Sequence, residues 1–117
     1  MKTKIVITNN FEKEAKRLLK KYKSLKAELN SLYTELSNNP HTGVPIGKNA
    51  YKIRLQVKSK GKGKRGGLRV ITYLEISLLL DDSVDTLFLL SVYDKSESES
   101  ISNKELVRLI SKLRKES

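Results

Sequence analysis

Residues 51–73 read YKIRLQVKSKGKGKRGGLRVITY, and the fold turns on how this stretch is taken. Tyr51, Ile53, Leu55 and Val57 are apolar, whereas Lys52, Arg54, Gln56 and Lys58 between them are polar. A period of two is that of a half-buried β-strand, so the apolar set predicts a core face and the basic set an opposite, exposed one. The following SKGKGKRGG breaks regular structure with glycine and gathers Lys60, Lys62, Lys64 and Arg65. A second strand begins at Leu68, which predicts an antiparallel pair with Arg69 at the entrance of its second member.

Charge sets the same stretch apart. No Asp or Glu occurs between Glu35 and Glu75, a window that holds Lys48, Lys52, Arg54, Lys58, Lys60, Lys62, Lys64, Arg65 and Arg69. The whole chain carries 24 Lys+Arg against 13 Asp+Glu, so outside the window the two signs nearly balance. Most of the formal +11 is therefore local. A focused positive field on a sheet face and its loop suits a polyanion, nucleic acid first. The plainer alternative is a lysine-rich edge that discourages strand pairing.

Length and composition narrow the rest. A chain of 117 residues has room for one core, hence a single domain over 1–117. Without cysteine it has no disulfide framework or thiolate metal site, and one histidine excludes zinc held by several imidazoles. No metal or other cofactor is called for. The N-terminal MKTKIVITNN has too short an apolar run for a signal peptide, and no segment approaches membrane-spanning length. A cytoplasmic location without a membrane partner is the expectation.

Outward from the hairpin, Lys4 to Thr8 reads as a short strand, with Asn10 as N-cap of the helix that follows. Phe11, Ala15, Leu18, Leu19 and Tyr22 make that helix's apolar stripe, and its basic face is expected to be merely solvated. Leu25, Leu29, Leu32, Tyr33 and Leu36 mark a second helix, stopped at Asn38-Asn39-Pro40. Together they predict an αα-hairpin covering one sheet face. His41 to Lys48 reads as loop, and its lone His41 as polar surface. Beyond the hairpin, Asp81-Asp82-Ser83 reads as a turn, and the nearly continuous apolar run Thr86 to Tyr93 as a central strand. Ser102 to Glu105 has the form of a capping box for a last helix. The order β, α, α, β, β, β, α predicts an α+β fold with a mainly antiparallel sheet.

This order, with the KIR…SKGKGKRGG…RVI and SVYDKSE blocks, resembles the RelE/ParE toxin superfamily, closest to its HigB-type branch of RelE toxins. The likeness in element order spans the chain, while the specific matches are confined to those two blocks. It implies a RelE-like toxin of a bacterial type II toxin–antitoxin pair, held inactive by a cognate antitoxin. RelE-like members are mRNA interferases, cutting mRNA in the ribosomal A site, where ribosomal RNA surrounds them. ParE-like members inhibit DNA gyrase instead. The resemblance places Arg69 near the scissile phosphate and matches Lys95 to a basic residue past the last strand. Where many RelE proteins carry a tyrosine a few residues later, this chain has Ile101, and Tyr93, Glu97 and Glu99 stand as alternatives.

RNA cleavage without a metal uses the ribose 2′-hydroxyl as nucleophile and gathers negative charge on the phosphate oxygens, which fixed cations stabilise. Arg69 suits this, because a guanidinium grips phosphate in a bidentate way. Glu97 is the candidate base and Lys95 or Tyr93 the candidate acid. Equally, Glu97 and Glu99 fit a solvated turn, and Tyr93 the end of a core strand. Lys52, Arg54, Lys58, Lys60, Lys62, Lys64 and Arg65 are expected to follow an RNA backbone without reading bases. Two other readings stay open: a gyrase inhibitor acting by binding, and an RNA-binding module without chemistry.

Overall fold

The structure, a computed structural model, describes residues 3–60, 67–76, 84–98 and 100–116, with side chains as far as 113. Within them the chain forms β1 (Thr3–Ile7), α1 (Asn9–Lys21), α2 (Leu25–Asn38), β2 (Val44–Gly47), β3 (Ala50–Leu55), a 3-10 turn (Lys58–Lys60), β4 (Leu68–Glu75), β5 (Asp85–Asp94) and α3 (Asn103–Glu116). The fold is α+β: the strands make one mixed sheet in the order β1-β5-β4-β3-β2. β1 runs parallel to β5, and the other three pairings are antiparallel. The turn expected at Asp81 to Ser83 lies outside the described residues.

Alternation along the strands divides the core in two. Ile53 on β3, Leu68, Val70 and Leu74 on β4, and Leu87 and Leu89 on β5 pack under the helical hairpin with Phe11, Leu18, Leu25 and Leu36. On the other face Ala50, Ile71 and Leu90 meet Leu106 and Leu109 of α3. Burial of these apolar side chains is the main force holding the three layers together. β5 lies between β1 and β4 and contributes to both clusters, which is why its sequence is apolar almost throughout.

Several boundaries differ from expectation. The N-cap of α1 is Thr8, not Asn10: its hydroxyl accepts from the Phe11 N–H at 3.2 Å and donates to the Leu89 carbonyl at 2.7 Å. Thr8 follows the last β1 residue directly and can serve both. Asn10 has a different task, because β1 ends at Ile7, paired with Leu89, leaving the end of β5 without a strand on that side among the described residues. Asn10 Nδ2 donates to the Leu90 carbonyl at 2.9 Å, and Glu14 Oε1 accepts from the Ser91 hydroxyl and the Val92 N–H. Two side chains of α1 thus take the place of a sixth strand. Leu19 is exposed, outside the buried stripe of α1.

The segment taken as loop contains β2. Pro45 and Gly47 argued against a strand, yet β2 is an edge, where proline's missing N–H costs no ladder bond. Lys48 and Asn49, with φ of 56° and 61°, form the two-residue turn into β3. Positive φ at both central positions is the type I′ geometry whose twist matches the strands it joins. At the far end, the Ser102 hydroxyl accepts from the Glu105 N–H at 3.1 Å, the expected cap of α3. Among the described residues no helix is long and apolar enough to cross a membrane.

Candidate nucleic-acid interface

Sheet register builds one polar row from three strands. Arg54 on β3 is paired with Arg69 on β4, and Arg69 with Tyr93 on β5. Residues opposite one another in adjacent strands share a face, here the face that α3 covers farther along. Lys52, two residues before Arg54, stands on it as well. Arg54 is exposed and Lys52 half-buried, whereas Arg69 is only 4% accessible. Arg69 is thus the covered floor of the row, and Arg54 the cation that a ligand meets first. The Arg69 guanidinium donates to the Leu68 carbonyl at 3.2 Å. Burial lowers its pKa, and the neighbouring charge of Arg54 lowers it further.

Tyr93 closes the row. Its hydroxyl is shielded from water, with the Ile101 backbone beside it. Burial raises its pKa, against the opposing influence of Arg69, so the phenol is protonated at neutral pH. Ile101, which stands where the resemblance looked for a tyrosine, packs instead in the apolar cluster under α3.

Other residues expected at the site lie elsewhere. Lys60, expected to follow RNA, forms a buried ion pair with Asp94: their side chains are 8% and 0% accessible. Tyr22 donates to the other Asp94 oxygen at 2.5 Å, and Ser96 adds its N–H at 2.9 Å and its hydroxyl at 2.7 Å. Burial pushes this carboxylate's pKa up, but the hydrogen bonds from Lys60, Tyr22 and Ser96 outweigh it and hold the group well below the ordinary range. Burial, then the bond to Asp94, pushes Tyr22 up to about 12. This cluster sits on the hairpin side of the sheet, with Tyr22 in that core.

Glu97, the candidate base, belongs to the same side. Its carboxylate pairs with Arg17 at 2.9 Å and with Lys21 at 3.8 Å, both on α1. That contact gives the basic face of α1, expected to be plain solvated surface, a structural partner. Lys95 is exposed in the turn after β5, and its N–H donates to the Gly67 carbonyl at 3.3 Å. Lys58 is exposed too, its backbone N–H held by Glu28 at 2.7 Å. Lys62, Lys64, Arg65 and Glu99 lie outside the described residues. His41 Nδ1 is 2.9 Å from the Tyr51 hydroxyl, so its partner is structural.

The expected constellation therefore divides. Lys52, Arg54, Arg69 and Tyr93 share one sheet face, while Lys60 and Glu97 are engaged on the other. Sequence reasoning missed Asp94 and Tyr22. The signal was thin: an acid directly ending an apolar strand, and a tyrosine on a helix stripe. No known protein-family model matches the chain.

Proposed function

We propose that this protein is a RelE-like toxin of a type II toxin–antitoxin pair, a ribosome-dependent endoribonuclease acting on mRNA. The observation that supports it is the row Arg54, Arg69 and Tyr93, two guanidinium groups and a protonated phenol in register on three strands. Arg54 and Arg69 face one another as like charges, and an anion over the pair meets the field of both. A phosphodiester over Arg54 gains charge-assisted hydrogen bonds there and the field of Arg69 beneath. As the 2′-oxygen gives up its proton to solvent water and bonds to phosphorus, the bond from phosphorus to the 5′-oxygen breaks, and the charge that grows on the non-bridging oxygens is where the cations act most strongly. Tyr93, whose phenol keeps its proton, is the candidate acid for the leaving 5′-oxygen, and because its hydroxyl is shielded the row must open for that transfer. Half-buried Lys52 and exposed Lys58 extend the basic track for the RNA backbone. A cognate antitoxin is the expected protein partner.

A second reading is an RNA-binding module without chemistry. The engagement of Glu97 by Arg17 and Lys21 favours it, because that removes the candidate base from the row. Mapping mRNA 5′ ends after brief induction decides between them. Cleavage within translated codons, lost in Arg54→Ala and Arg69→Ala while circular dichroism stays native, supports the nuclease. Intact messages with RNA still bound support the module, and lost supercoiling with DNA damage signalling supports a gyrase inhibitor.

A further inference from the structure

The outer edge of β3 is open for one outward-facing residue. Val44 of β2 pairs with Lys52, and the chain turns away at Gly43, whose φ is +109°. A Cβ on Gly43 would stand 2.8 Å from the Lys52 carbonyl, so that carbonyl faces β2 and only glycine lets the backbone pass this close. Backbone groups alternate in direction along a strand, so Arg54, two residues on, turns its N–H and C=O to the same side. No strand lies there among the described residues. β3 ends at Leu55, and the chain then enters the 3-10 turn Lys58–Lys60. One outward residue is too little edge for an added strand, which needs about three residues or more.

What Arg54 presents there is a donor beside an acceptor. A base exposes the same pair on its Watson–Crick edge, the edge by which unstacked bases are held. The space in front of Arg54 suits such a base. A groove of about 640 Å³ lies between β3 and α2, within the roughly 300–1,000 Å³ of small-ligand pockets. Its apolar lining is Leu32 on α2, Ile53 and Leu55 on β3, and Val44, which is 58% exposed. Apolar side chains can hold the faces of a base taken out of its stack. Cations mark a path for the phosphates. Arg54 belongs both to the row on the sheet and to the groove, and Lys58 lines the groove with its side chain exposed. Of the acids on the α2 wall, Glu28 is engaged by the Lys58 N–H and the Ser24 hydroxyl, while Glu35 is exposed.

We propose that this groove is a base subsite, which takes one unstacked base of the RNA while the adjoining phosphates lie on Arg54 and Lys58. The base edge bonds the Arg54 N–H and C=O, and its faces rest on the apolar lining. The subsite rests on the RNA reading above and adds that bases, not phosphates alone, hold the chain. One donor and one acceptor fit every base in one of two orientations, so the groove retains bases without choosing strongly among them.

The probe is a fluorescent single strand of 2′-O-methyluridine, about eight nucleotides long, titrated against the full chain by anisotropy. It has no free 2′-hydroxyl and so stays whole. Its control carries the same phosphates and no bases. The base-bearing strand should bind about tenfold more tightly, from one hydrogen-bonded edge and its buried faces. Adenine or cytosine in place of uracil should change affinity by less than about threefold. Ala27→Met with Ser31→Met, at exposed positions on the α2 wall, should fill the groove. With circular dichroism native, this variant should bind both strands as weakly as the control. The Arg54 amide signal in a nitrogen–proton correlation spectrum should move with the base-bearing strand and stay in place with the control. Equal binding of the two strands, or a difference that survives the filled groove, overturns the subsite and leaves the RNA reading standing. A dimer by light scattering that excludes the probe overturns it as well, since the groove then belongs to a second copy. If neither strand binds, the RNA reading and the subsite fall together.

Discussion

Replacing Asp94 with Asn should cost this domain about 3 kcal/mol. The carboxylate is fully buried and accepts from Lys60, Tyr22 and Ser96, whose N–H and hydroxyl both reach it. Removing one partner of a buried ion pair costs on the order of 3–5 kcal/mol, because the other charge stays behind in low dielectric. Asparagine keeps the shape and one acceptor oxygen, which places the loss at the lower end. For a chain of this size, that is a fall in melting temperature of about 10 °C. The measurement is urea unfolding followed by circular dichroism, repeated across pH. Asp94 is held below its ordinary value of 3.8 in the folded state, so its contribution is present above about pH 4 and is lost as pH falls through the folded pKa. The gap between wild type and Asp94→Asn should therefore be widest at neutral pH and close in acid, where the protonated acid resembles the amide. Tyr22 works at the other end: raised from 10.0 to about 12, its contribution is present below pH 10 and lost between pH 10 and 12. Lys60→Met combined with Asp94→Asn should cost less than the two single changes added. Additive losses, or a loss under about 1 kcal/mol for Asp94→Asn, would refute the buried pair.

Three further changes probe other parts of the structure. Thr72 is fully buried with no hydrogen-bond partner for its hydroxyl among the described residues, so Thr72→Val should raise stability by about 1 kcal/mol, read as a higher urea midpoint at unchanged slope. Gly43→Ala forces a Cβ against the Lys52 carbonyl at positive φ and should destabilise by about 1–3 kcal/mol, with faster amide exchange in β2 as its local sign. Glu97→Gln loses only half-exposed pairs with Arg17 and Lys21, so stability should move by less than about 0.5 kcal/mol and growth arrest on expression should persist. A Glu97→Gln variant that folds and has lost toxicity would restore this residue as the base.

How far the sequence could be read follows from the range of each interaction. The strand from Tyr51 and the apolar run before Tyr93 were legible because burial on one or both faces writes itself into every residue, although β3 ends at Leu55 rather than at Val57, before the 3-10 turn Lys58–Lys60. β2 was not, since a short edge strand places few demands on side chains and can hold Pro45 and Gly47. Thr8 could not be separated from Asn10 as the cap: both are good capping residues, and the choice depends on the Leu89 carbonyl, 81 positions away.

The site divides along the same line. Alternation alone placed Lys52 and Arg54 opposite Ile53 and Leu55, and Arg69 with Ile71 and Tyr73, because the period of a strand is local and fixed. That two arginines meet in register, with one of them under cover, was decided by strand pairing and by the layers packed around it. Charge density along the chain likewise announced a basic hairpin, but a count of lysines does not reveal which one turns inward. Lys60 did so because folding carried a fully buried carboxylate within its reach, and only the tertiary structure sets that distance.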